Sequence, residues 1–289
     1  MSSNIVLSAA MQQNLLSLQN TQTQMNKTQY DLSTGYSVNS AVDNPSAYFA
    51  ATSERNRANE LSNLKADMGE AIQTVTEAQN GITAVTAVIQ QMQAVVQSAK
   101  TATTAGRDSL MTQYNGLRSQ LNQLVADANY KGTNLLENNT LTVTFNETNT
   151  SSLSITGFSA VAGSRASFAA TTITGGLGIS TAGATGASSW GGSTFSQILN
   201  THATQLSAAL TTLQTQSQNL ASNLSTVNIR QQFASNTINT LNGGADALTL
   251  ADPNEEGANM LALQTRQQLG IVSLSLASQA QQSVLRLFP

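Results

Sequence analysis

The stretch LSNLKADMGEAIQTVTEAQNGITAVTAVIQQMQAVVQSA, residues 61–99, decides the fold. Leu61, Leu64, Met68, Ala71, Val75, Ala78, Ile82, Val85, Ile89, Met92, Val96 and Ala99 recur along it at spacings of three and four. That period lines one face of an α-helix, and over several heptads it means helices packed at shallow angles as a bundle or coiled coil. Asn44 reads as an N-cap, with Pro45 at the first helical position where its missing N–H is harmless. A helix from there to the end of the seam runs about 80 Å.

Three further seams surround it. One is nearly as long: Leu199, Ala203, Leu206, Leu210, Leu213, Ser217, Leu220, Leu224, Val227, Gln231, Ala234, Ile238 and Leu241. A short one, Leu110, Tyr114, Leu117, Leu121, Leu124 and Ala128, follows a turn near residues 104–106. The fourth lies near the N-terminus: Met11, Leu15, Leu18, Gln22, Met25, Gln29 and Leu32. The last helix opens on Asp252, Pro253 and Glu255, an Asp-x-x-Glu capping box. Residues 33–44 hold turn formers and no seam, and form a connector.

The C-terminal segment LGIVSLSLASQAQQSVLRLF, residues 269–288, poses a burial problem. On a helix Leu269, Val272 and Leu276 share one face, and Ile271, Leu274, Leu285 and Phe288 share another. A surface helix needs a single apolar stripe. The serines and glutamines between them break the run far short of the ~20 apolar residues a bilayer requires, so protein must cover both faces.

Composition changes near residue 139. Residues 139–193 are rich in Thr, Ser, Gly and Ala, with alternating stretches such as LTVTF and LSITGF that predict short strands; a low-complexity linker is the lesser alternative for residues 175–192. The expected fold is therefore mainly α, a long antiparallel coiled-coil or helical bundle with a terminal helix pair and a small β-rich insert. Its expected division is 1–33 plus 256–289 as a terminal coiled-coil domain, 34–138 plus 194–255 as a helical bundle, and 139–193 as a surface-facing insert.

Charged residues form only 9% of the 289, against about a quarter in ordinary domains, and aromatics 4%; this mixture argues against a compact enzyme core. The net charge is −3 and the twelve Lys and Arg are scattered, which argues against nucleic-acid and anionic-membrane partners. No cysteine is present, so disulfides, thiolate zinc sites and cysteine nucleophiles are excluded. The first residues lack a basic region followed by an apolar block, so no cleaved signal peptide is expected and export would use another route.

No catalytic, cofactor or metal site is expected. His202 is the sole histidine and falls beside Leu199 and Ala203, which reads as a partly exposed helix residue and not a catalytic base. Glu255 and Glu256 are explained by the dipole of a first helical turn. Met68 and Met92 lie on a seam and read as core. Gly35, Gly69, Gly81, Gly243 and Gly244 form no phosphate loop, and the Asn-x-Ser/Thr triplets at Asn138, Asn146 and Asn149 arise easily in so Thr-rich a stretch.

Three segments in order resemble bacterial flagellins of the alphaproteobacterial type. NLLSLQNTQTQMNKTQYDLSTGYSVNSAVDNPSAYFAA is similar to their heptad helix, Leu-Ser-x-Gly, then Asn-Ser-Ala-x-Asp before a long helix. ANYKGTNLL is similar to their Asn-(Phe/Tyr)-x-Gly-x-x-Leu segment, and LQTRQQLGIVSLSLASQAQQSVLRLF to their C-terminal helix. Tyr36 and Ser37 stand where many of the family carry a basic residue, which removes the basis for a salt bridge at the connector.

The resemblance implies a structural subunit that polymerises with copies of itself into the filament of the bacterial flagellum for swimming motility, secreted and extracellular. It implies a self-assembly interface on the terminal helices, at Met11, Leu15, Leu18, Met25, Leu32, Leu269, Ile271, Val272, Leu274, Leu276, Leu285 and Phe288. Further implied partners are flagellar junction and cap proteins, the type III export apparatus and an export chaperone. Gln12, Gln13, Gln279 and Gln282 would present neutral, hydrated groups to a channel. A hook-filament junction protein is the nearest alternative, and LQTRQQLGIVSLSLASQ leans towards flagellin. An enzymatic insert is disfavoured because residues 139–193 hold no His and Glu147 as their one acid. A free-standing coiled-coil scaffold leaves the terminal match unexplained.

Seams that include Gln22, Gln29, Gln279 and Gln282 bury too little to offset an ordering entropy of ~1–2 kcal/mol per residue. Hydrogen exchange in dilute monomer is expected to show almost no protection over residues 1–32 and 257–289. Strong protection there would contradict this reading.

Overall fold

The computed structural model describes residues 9–163, 165–166, 172–173, 176–183 and 190–287. In chain order its elements are α1 (Ala9–Thr34), α2 (Pro45–Thr101), α3 (Thr104–Asp127), β1 (Thr140–Thr144), β2 (Ser152–Thr156), β3 (Arg165–Ala166), β4 (Thr172–Ile173), α4 (Phe195–Thr249) and α5 (Pro253–Leu287). The fold is mainly α with a small β-rich insert, as the seams predict. It divides into two compact units, residues 1–58 with 239–289, and residues 59–238.

In the second unit every α2 seam position from Leu61 to Ala99 is buried except Leu64, which is half-buried. The α4 seam opposes it in antiparallel register. Gln231 Nε2 donates to Lys65 O at 3.4 Å near one end, and Gln93 Nε2 to Ser207 Oγ at 3.4 Å near the other. Tyr114, Leu121 and Val125 of α3 close the same core. Thr103 caps α3, its hydroxyl accepting from Gly106 N at 3.3 Å.

β1 and β2 pair antiparallel in the register Thr140↔Thr156 to Thr144↔Ser152, with Val143 and Ile155 turned into the core. Residues 176–183 are no linker. Asn115 of α3 accepts from Ala182 N at 3.0 Å and donates to Ala182 O at 2.8 Å, and Arg118 Nε donates to Ile179 O at 3.0 Å. An amide and a guanidinium at one helix face thus satisfy extended backbone as a neighbouring strand would. Of the rest of 175–192, residues 175 and 184–189 lie outside the described residues.

His202 corrects the sequence reading: it is buried at 2% exposure, not partly exposed. Its ring packs edge-on against Tyr114 and Trp190, at 5.1 and 5.7 Å between centroids. Nδ1 lies 2.9 Å from Ile198 O and Nε2 3.3 Å from Ser180 Oγ. Arg107 braces the cluster, donating from Nε to Trp190 O at 2.8 Å while its guanidinium lies 3.8 Å over the Phe195 ring. The signal that was missed is the tryptophan twelve residues upstream, Trp190, which has no helical seam to announce it.

In the first unit the connector is tied to the end of α4. Ser37 N donates to Thr249 O at 2.9 Å and Ala251 N to Gly35 O at 3.0 Å. Arg55 sits 5.6 Å over the Tyr36 ring and donates from Nη2 to Asp246 at 3.1 Å and to Thr249 Oγ1 at 2.9 Å. An aromatic face at Tyr36 therefore receives a cation supplied by α2. Asn44 caps α2 through Ala47 N at 3.2 Å, and Asp252 caps α5 through Asn254 N at 2.8 Å.

Burial lowers the pKa of His202, so its ring is neutral in the folded chain at neutral pH. The unfolded chain takes up its proton near the ordinary value of roughly 6.5, the folded chain at lower pH. The stability this group contributes is complete above the unfolded value and is lost as the pH falls through the folded one. Denaturant unfolding followed by Trp190, the sole tryptophan, should show a lower midpoint at pH 5.5 than at pH 7. In His202→Gln this drop should largely disappear; an equal drop in both proteins would assign it elsewhere.

Candidate assembly surface

α1 and α5 pack antiparallel. Gln267 Nε2 donates to Gln22 Oε1 at 2.8 Å, and a Cβ on Gly270 would stand 2.6 Å from Leu18 Cδ2. Glycine at 270 is what lets Leu18 seat against the α5 backbone. The side chains sheltered between the helices are Met11, Asn14, Leu18, Thr21, Met25, Thr28 and Asp31 on α1, and Met260, Leu263, Gln267, Gly270 and Leu274 on α5.

This seam shares Met11, Leu18 and Met25 with the one read from apolar spacing. Its alternate positions fall one residue earlier, so Thr21, Thr28 and Asp31 turn inward where Gln22, Gln29 and Leu32 were expected. The reason is polar satisfaction. Asp31 is 4% exposed, accepts from Lys27 Nζ at 2.9 Å and from Asn39 Nδ2 at 3.4 Å, and so joins helix, seam and connector. The bond to Asp31 raises the pKa of Lys27. Thr21 returns its hydroxyl to Ser17 O at 2.8 Å, satisfying itself within α1.

The apolar residues excluded from that seam face outward. Leu15 and Leu32 are exposed on α1, as are Leu16 and Tyr30, which lie off the three-and-four apolar spacing. On α5 Leu269 is 63% exposed and Leu276 61%, with Ile271 and Val272 close behind, and Leu261 joins them; Leu274 is half-buried. Leu285 lies in α5, and Phe288 lies outside the described residues. Fully covering a Leu, Ile or Val is worth roughly 1.5–3 kcal/mol. Exposed apolar side chains gathered on one helix pair are surface that a partner could cover.

The groove between the two helices beside Asp31 mixes polar side chains, among them Gln24, Lys27, Asn259 and Arg266, with the apolar Ala262 and Leu263. Among the described residues no three His, Cys, Asp or Glu are grouped to hold a metal ion, and no helix is long and apolar enough to cross a membrane.

Residues 3–140 match the family model for the bacterial flagellin N-terminal helical region. The chain is 26% identical over 280 residues to flagellin FljO of Caulobacter vibrioides, covering 95% of each protein. It is 28% identical over 276 residues to a flagellin of Brucella melitensis, again 95% of each. A shorter match, 42% over 62 residues, covers 22% of this chain and 19% of flagellin C of Rhizobium meliloti.

Leu276 lies on the outward face, so Leu276→Asp should leave the second unit folded. A carboxylate trapped between subunits costs on the order of several kcal/mol at every contact. Sedimentation should find this variant as folded monomer under conditions that pellet the wild type. Long polymers of Leu276→Asp would remove Leu276 from any interface.

Proposed function

This chain belongs to the bacterial flagellins, and we propose that its terminal helix pair is the element through which its subunits join. The protein is a structural subunit that polymerises into the helical flagellar filament of a swimming bacterium. A junction role is not favoured, since flagellins are matched across nearly the whole chain.

The observation that carries the interface is the set of outward apolar groups Leu269, Ile271, Val272 and Leu276 on α5, set against a seam to α1 that mixes apolar with polar side chains. The pair buries part of its apolar side chains in its own contact and leaves the rest for neighbours. With Leu15, Leu32, Leu285 and Phe288 these residues make up the assembly interface, while Met11, Leu18, Met25 and Leu274 hold the pair itself together, residues 1–33 with 256–289 forming the filament core. Contacts between unlike surfaces of identical subunits that do not close into a ring give an open helical polymer.

In this reading the protein acts outside the cell and is not an enzyme. It is exported through the type III flagellar apparatus with a chaperone, and meets junction and cap proteins at the filament ends.

Electron microscopy of the purified wild-type chain, concentrated and seeded, should show fibres of micrometre length. Collars or rings that stop growing after a few subunits would favour the junction role.

A further inference from the structure

Ile229 and Phe233 are the only large apolar side chains of the second unit left exposed among its described residues, at 67% and 63%. They stand one turn apart on α4, on the face turned away from its buried seam. Between them lies Arg230, one of just two charged residues in this 55-residue helix, the other being Asp246. Arg230 crosses the Phe145 ring at 5.2 Å and stays exposed. Two apolar knobs around a single cation form a compact contact point on an otherwise neutral polar helix.

A matching hollow lies in the same unit. A cleft of about 420 Å³ opens between α2 and β1, with Leu64, Ala71, Leu141 and Val143 in its lining. Its third wall is the turn of the ANYKGTNLL segment. Lys131 and Gly132 both take positive φ there, 48° and 85°, and Tyr130 and Thr133 exchange backbone bonds of 3.1 and 2.9 Å. Glu70 of α2 clamps this turn, accepting from Tyr130 Oη at 3.0 Å and pairing with Lys131 Nζ at 2.6 Å. Glu70 is thereby committed. Asp67, one turn earlier on the same wall, is the lining carboxylate that Lys131 does not engage.

We propose that this cleft receives the Ile229 to Phe233 knob of a second copy of the chain, with Arg230 of that copy pairing with Asp67. The occupant follows from complementarity: the cleft offers apolar depth and an acidic rim, and the knob offers two apolar groups and a cation. A knob and a cleft at different places on one subunit make a heterologous contact, which propagates along a polymer. The inference rests on the filament reading and adds a second interface, made within the second unit. It also gives the Asn-Tyr-Lys-Gly turn a role as a wall of the cleft.

Charge reversal in the full-length chain tests it. Arg230→Glu and Asp67→Arg should each raise the critical concentration for polymerisation about tenfold, and the double variant should return it to within about twofold of wild type. A companion measurement uses the absence of cysteine. Thr226→Cys, on the face of Ile229 and Phe233, and Thr142→Cys, exposed on the cleft lining, are made in separate chains and copolymerised at equal amounts. A short bismaleimide should then link unlike subunits in filaments and not in monomers. Normal assembly of both single reversals, no recovery in the double variant, or filaments without linked pairs would overturn the proposal. A wild-type chain that forms no filament at all would instead overturn the reading on which it rests.

Discussion

Met68, Val75, Val85, Ile89, Met92, Val96 and Ala99 are enclosed completely, and this row sets how closely α4 lies along α2 in the second unit. Alternation between small and large groups, as in Ala71, Val75, Ala78 and Ile82, lets facing side chains interlock at interior packing density. Once the two helices are in register, the groove beside them has a fixed width. α3 fills it with Tyr114, Leu121 and Val125, and the β1–β2 hairpin closes it with Val143 and Ile155. The cleft behind Glu70 exists because that hairpin leaves a space against α2.

Outside the seams the molecule is polar yet almost uncharged. Along α4 threonine hydroxyls return to the carbonyl four residues earlier, as at Thr204, Thr211, Thr212 and Thr226, so much of the helix surface is satisfied internally. Such a surface meets copies of itself without like-charge repulsion, and salt screens little in it. Specificity must then come from the few groups that differ from this background. These are the outward leucines of α1 and α5 and the Ile229, Arg230 and Phe233 cluster.

The terminal pair follows a different logic from the long bundle. Its inner seam carries Thr21, Thr28, Asp31 and Gln267, and its register is held by hydrogen bonds and by the seating of Leu18 on Gly270. Polar seams fix partner and register while contributing little free energy. In the proposed interface neighbours cover the outer leucines that this seam leaves exposed.

The heptads of α2, α3 and α4 were fully legible, because burial on one side of a long helix writes itself into spacing and nothing else explains twelve consecutive matches. The caps at Asn44 and Asp252 were legible for the same local reason. The burial of His202 was not, since Trp190 reaches it from a segment with no periodicity and Ser180 through a backbone held by side-chain amides. Nor was the α1 seam: three positions agreed, but the others turned by one residue because Asp31 finds Lys27 and Asn39 only in three dimensions. By itself the sequence determined the helices, their ends, the family and the presence of surplus apolar surface. Tertiary structure decided which leucines face inward, how the Asn-Tyr-Lys-Gly turn frames a cleft, and that Ile229 and Phe233 remain outside, because each depends on groups far apart in the chain competing for one place.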